Sequence, residues 1–127
     1  MDSLEKSFSS NRLEEFYSDE VYQPHPLSEE FDLMNSQEIS ELGENILKFR
    51  QLDTIDLYEG KILDGRNRYY ACKQYSITPR FRNLPEEYDA EEYVYSKNLE
   101  RRHLTPAQRA ELALRLVQIE RRKAKER

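Results

Sequence analysis

The chain's 127 residues suffice for one compact domain and exclude two domains with separate large cores. With 37% hydrophobic and 35% charged residues, the core is modest and some segments lie outside it. A net charge of −5 argues against a simple nucleic-acid coat, and Cys72, the single cysteine, excludes an intrachain disulfide and suits a reducing cytoplasm.

Residues 1–22 are acidic and serine-rich. Leu4, Phe8, Leu13, Phe16 and Tyr17 are spaced for at most a frayed amphipathic helix, so this segment is expected to be a flexible acidic appendage. Pro24-His25-Pro26 must be extended, because each proline restricts itself and its predecessor. His25 reads as a surface loop residue, since no second His or Cys stands close enough to suggest a metal set.

Asn35 followed by Glu38 is a capping pair that opens a helix to about Phe49, with Ile39, Leu42, Ile46 and Leu47 on one face. The alternation of Thr54 to Tyr58 predicts a strand, Glu59-Gly60 a hairpin turn, and Lys61 to Leu63 the returning strand. Asp64-Gly65 turns the chain into a helix over Arg66 to Tyr75, and Arg80 to Leu84 is a further short strand. Beyond the break at Pro85, Asp89 caps a helix towards Asn98 with Glu92 at its third position.

Thr105-Pro106-Ala107-Gln108 is the strongest local signal, with Thr as N-cap, Pro at the first helical position and Gln reaching back. The helix it opens runs to the C-terminus and carries Ala110, Leu112, Ala113, Leu114, Leu116, Val117 and Ile119. That is more than one apolar stripe, and such a helix wants a second partner. Residues 97–127 hold ten Lys/Arg against four Glu, a net of +6 that leaves −11 for residues 1–96. A basic end on an acidic body suggests a nearby polyanion or a solvated helix face. No leader and no apolar run of about 18 residues is seen, so neither secretion nor a membrane partner is expected.

Two basic clusters carry the chemistry. The short strand, the Gly65 break and the arginines Arg66 and Arg68 at a helix start have the grammar of an anion site: first-turn N–H groups lack partners, and guanidinium groups add bidentate bonds. The second cluster is Arg101-Arg102-His103, with Asn98 and Glu100 beside it. No Walker loop, no Ser/His/Asp order and no Cys/His metal spacing is present.

The segments HPLSEEF (25–31), ILDGRNRY (62–69) and NLERRHLTPAQRA (98–110) stand in the order of a known family. From about Pro26 to Leu116 the sequence resembles the N-terminal domain of ParB-type partition proteins, whose fold is shared with sulfiredoxin, and is most similar to short ParB-like proteins of phages and mobile elements. The resemblance implies an α/β (α+β) fold, a small mixed sheet flanked by helices with a projecting C-terminal helix. Residues 1–22 would be the appendage, 23–104 the nucleotide-binding domain and 105–127 a basic amphipathic helix.

It also implies a nucleoside triphosphate, CTP or ATP, bound with Mg²⁺, that controls DNA association or self-association. Gly65, Arg66, Asn67 and Arg68 would hold phosphates, and Asn98, Arg101 and Arg102 would close the site. Gly65, Arg68 and Ala71 match the family's Gly-Glu-Arg-Arg-x-Arg-Ala box, whereas Arg66 and Asn67 stand where Glu and Arg are usual. Asn98 and Arg101 match the Glu-Asn-x-Gln-Arg box, and Asn98 and Glu100 are candidate metal ligands, but Lys97 replaces the carboxylate that helps hold the metal. The partners implied are the nucleotide, DNA reached through a dimer or a partner domain, and a second copy docked along the C-terminal helix.

Weak NTPase turnover is compatible with this reading. Sulfiredoxin activity is not expected, because Arg66 stands where the reactive cysteine belongs. Two alternatives stand beside it. One is a small-molecule phosphotransferase like the free-serine kinases, with Asp64 or Glu30 near the transferred group. The other is an interaction scaffold without a ligand.

Overall fold

The computed structural model describes residues 13–101 and 104–126. These form two compact units, one ending at Glu86 and one beginning at Glu87.

The first unit is built on a mixed sheet of β1 (Glu15–Tyr17), β2 (Ile55–Tyr58), β3 (Lys61–Asp64) and β4 (Arg80–Asn83), in the order β1-β4-β2-β3. The β2–β3 and β1–β4 pairs are antiparallel and β2–β4 is parallel. Glu59 at φ 53° and Gly60 at φ 76° make the two-residue turn between β2 and β3, the left-handed pair that matches the twist of a hairpin. A register irregularity at Asp56/Leu57 brings Asp56 opposite Asp64 and Leu57 opposite Ile62.

Ile55, Leu57, Ile62 and Phe81 form one buried cluster with Tyr69, and Phe16 and Tyr22 pack against it. The helices α1 (Ser36–Phe49) and α2 (Arg66–Gln74) meet in a second cluster of Ile39, Ile46, Ala71 and Cys72. The capping pair forms as read: Glu38 N donates to Asn35 Oδ1 at 2.8 Å and Asn35 N donates to Glu38 Oε1 at 3.0 Å. The buried stripe of α1 is Ile39, Gly43 and Ile46 rather than one that includes Leu47, which is 60% exposed. Gly43 admits Tyr75 so closely that a Cβ there would lie 2.2 Å from the ring.

Arg50, just past α1, has φ 71° and ψ 171°, a region costly for any side chain. Gln51 holds the chain in that path. Its Oε1 accepts from Arg80 N at 2.8 Å, and its Nε2 donates to Arg80 O at 2.8 Å and Asp53 O at 2.9 Å.

The N-terminal expectation needs correction. Glu15–Tyr17 is neither helix nor appendage but an edge strand in register with Arg80–Arg82, and Tyr22 N donates to Tyr69 Oη at 3.2 Å. Of the apolar residues that suggested a frayed helix, Phe16 packs beside Phe81, where Tyr22 joins it, and Tyr17 is exposed. Leu4 and Phe8 lie outside the described residues. His25 is also corrected: it is half-buried, its Nδ1 accepts from Leu27 N at 3.1 Å, and its main-chain N–H donates to Ile62 O at 2.8 Å. Pro24 bridges Ile62 in parallel, so this segment flanks β3 instead of looping into solvent.

The second unit pairs α3 (Ala90–Leu99) with α4 (Pro106–Glu126). Asp89 caps α3, accepting from Glu92 N at 3.1 Å, and Thr105 caps α4 reciprocally with Gln108 at 3.1 and 3.0 Å. Leu112 and Ile119 are the buried residues of α4. Arg115 donates to Tyr95 Oη at 2.8 Å, Arg122 pairs with Asp89 and Glu91, and Lys123 pairs with Glu92. Part of the basic end is therefore neutralised by carboxylates at the start of α3. The unit boundary falls at Glu86 and Glu87 rather than at 104 and 105, because α3 and α4 pack on each other.

Candidate functional site

The turn between β3 and α2 carries the first half of the expected site. Gly65 has φ 105° and ψ 23°, a left-handed conformation that glycine adopts without steric cost. A Cβ there would stand 3.1 Å from Ile55 Cα and 2.7 Å from Arg68 Nη1, so the position also needs the missing side chain for space. Gly65 O accepts the first helical bond, from Tyr69 N at 2.9 Å. As N-cap, glycine offers no side chain to the first-turn N–H groups. Those donors and the positive end of α2 point out of the turn.

The three following side chains each reach a different segment. Arg66 Nη2 donates to Phe31 O at 2.5 Å, Asn67 Oδ1 accepts from Met34 N at 3.0 Å, and Arg68 Nη1 donates to Thr54 O at 2.8 Å. Arg68 also lies 3.9 Å from Asp64, with its side chain 26% exposed. Gly65, Arg66, Asn67 and Arg68 thus share one helix turn, while the side chains of the last three also hold the fold together. Glu30, the other carboxylate considered for chemistry, sits in a 3-10 turn over Ser28–Glu30 and is exposed.

Sequence reading missed the polar network behind this turn. Asp56, 1% exposed, accepts from Thr54 Oγ1 at 2.7 Å and from Arg82 at 2.8 and 3.3 Å. Thr54 therefore links Arg68, on its carbonyl, to Asp56, on its hydroxyl. Strand alternation places Asp56 opposite the apolar face, which is the available signal, but its burial depends on Arg82, 26 residues away.

The second half lies on α3. Asn98 is 8% exposed, donates Nδ2 to Val94 O at 2.7 Å and accepts from Arg101 Nη1 at 3.2 Å. Glu100 ends α3 as its C-cap. Lys97 stands over the Tyr93 ring, 5.9 Å from its centroid. Arg102 and His103 lie outside the described residues. Gly65 to Arg68 belong to the first unit and Asn98 to Arg101 to the second, and each set is coherent within its own unit. Asn98 and Glu100 fit Mg²⁺ poorly: the amide oxygen of Asn98 already faces the Arg101 guanidinium, and the neighbouring Lys97 is a further cation.

No family model and no curated protein matches the sequence. Among solved structures the chain is similar to a Pnob8-like ParB-N domain, with 17% identity and a TM-score of 0.60. The match covers 89% of this chain and 50% of that one, so the chain spans about half the length of the structure it resembles. The chain, with its mixed four-stranded sheet and its helices, has a ParB N-terminal-like fold.

Proposed function

We propose that the chain is a nucleotide-binding module that takes a nucleoside triphosphate, CTP or ATP, at the first turn of α2. The carrying observation is Gly65: left-handed, closely packed, and unable to cap the helix it begins. Main-chain N–H groups of Arg66, Asn67 and Arg68 bind phosphate oxygens, and the Arg66 and Arg68 guanidinium groups add charge-assisted bonds. Asn98 and Arg101, in the second unit, and Arg102 beside them are the residues that the sequence resemblance offers for the nucleoside. The ParB-like fold supports this reading by giving the turn the setting in which the sequence resemblance expects it.

The nucleotide in turn controls self-association, and through it DNA association. Ala107, Ala110, Leu114, Val117, Arg121 and Ala124 follow a spacing of three and four along α4, and all six are exposed. Leu114 is 57% and Val117 46% exposed. This seam is separate from the buried Leu112 and Ile119, and the heptad spacing suits a second copy of the helix.

Isothermal titration with CTP and ATP tests the binding. Saturable binding that is lost in Gly65→Glu, with the circular dichroism of the variant unchanged, supports the proposal. Equal affinity in the variant removes the α2 turn from it.

A further inference from the structure

Two of the three side-chain ties from the first turn of α2 land on one short loop, Phe31 to Met34. This loop joins the 3-10 turn Ser28–Glu30 to Asn35, the N-cap of α1. Locally, Phe31 N donates to Ser28 O at 3.3 Å. Between the ties, Asp32 and Leu33 are exposed, Leu33 by 46%. Arg66 takes the carbonyl of the first loop residue and Asn67 the N–H of the last.

A neutral carbonyl holds a guanidinium less firmly than a phosphate does, because charge-assisted bonds are roughly twice as strong as neutral ones and arginine engages phosphate bidentately. An oligophosphate at the head of α2 therefore competes with Phe31 O for Arg66. Asp32, next in the chain to Phe31, is repelled by the same charge. We infer that Phe31–Met34 is a latch, fastened to α2 by Arg66 and Asn67 in the empty protein and released when an oligophosphate binds the α2 turn. The inference rests on the nucleotide-binding reading and adds its regulation: occupancy is converted into freedom of the segment that leads into α1.

Hydrogen exchange of the intact chain, with sodium tripolyphosphate as probe, tests the latch. Without ligand, Arg66→Ala should speed exchange across residues 31–34 by about tenfold, as for loss of a local tie, with the Ile39–Ile46 amides of α1 unchanged. Should Arg66→Ala not fold, Arg66→Lys replaces it. Saturating tripolyphosphate should speed the same amides in the wild type and add nothing in Arg66→Ala. Asn67→Ala, which opens the latch but keeps Arg66, should bind tripolyphosphate more tightly; weaker binding would overturn the latch. Binding with unchanged or slower exchange at 31–34 overturns the latch and leaves the nucleotide reading standing. Absence of binding in both the wild type and Asn67→Ala removes that reading, and the latch with it.

Discussion

Two glycines decide much at the scale of single residues. In α1, replacing Gly43 by alanine would normally gain about 1 kcal/mol of helix propensity. Here the new Cβ would stand 2.2 Å from the Tyr75 ring, whose hydroxyl is itself held by Ser40 O at 2.9 Å. Overpacking of this kind costs about 1–3 kcal/mol, so Gly43→Ala should lower stability in a urea melt. Gly65→Ala should also destabilise, by about 1–3 kcal/mol for a side chain forced into the left-handed region. Gly65 was legible as a turn because Asp64-Gly65 follows a short apolar run and precedes a helix start. The role of Gly43 was not, because it depends on Tyr75, brought there by the second helix.

Cys72 is fully buried, and burial raises its thiol above its ordinary pKa although Arg68 and Lys73 pull the other way. In the unfolded chain the thiol ionises at its ordinary value. The raised folded value therefore favours the fold at neutral pH, and this contribution is lost as pH rises past the ordinary value towards the folded one. A thiol-reactive disulfide reagent at pH 8 should label the native protein at least ~10-fold more slowly than the urea-unfolded chain, because only exposed thiolate reacts. Equal rates would show that the α1–α2 cluster opens readily.

At the scale of elements, agreement was best where the signal is local. The caps at Asn35, Asp89 and Thr105 each form with the residue three positions on, and the hairpin turn sits at Glu59-Gly60. Thr105→Ala should therefore cost about 1 kcal/mol, read as a lower urea midpoint. β1 was illegible because three residues carry no useful period, and the strand exists only through pairing with β4, more than 60 positions later. On α4, periodicity gave too much apolar surface for one stripe, and the structure divides it into a buried pair and an exposed seam. Leu114→Lys should leave the helix content intact and abolish any dimer seen by light scattering. A dimer that survives would place the contact elsewhere.

At the scale of the whole molecule, the sequence resemblance and the likeness in fold agree. The resemblance put the expected pocket residues in two motifs, and those motifs fall in two separate compact units. Residue spacing alone could not show that division, since it arises from α3 packing with α4. Nor could it show that Arg66, Asn67 and Arg68 serve the fold while remaining candidates for phosphate. Charge follows the same division, because the carboxylates of α3 neutralise Arg122 and Lys123 within the second unit.

The most direct test is a thermal-shift titration of the intact chain with CTP, ATP, GTP and UTP, each with and without Mg²⁺. A triphosphate at 100 times its dissociation constant should stabilise the fold by about 2.7 kcal/mol, giving a clear rise in melting temperature. The account predicts that rise for CTP or ATP and its loss in Gly65→Glu. No shift with any of the four nucleotides, in either condition, would contradict it.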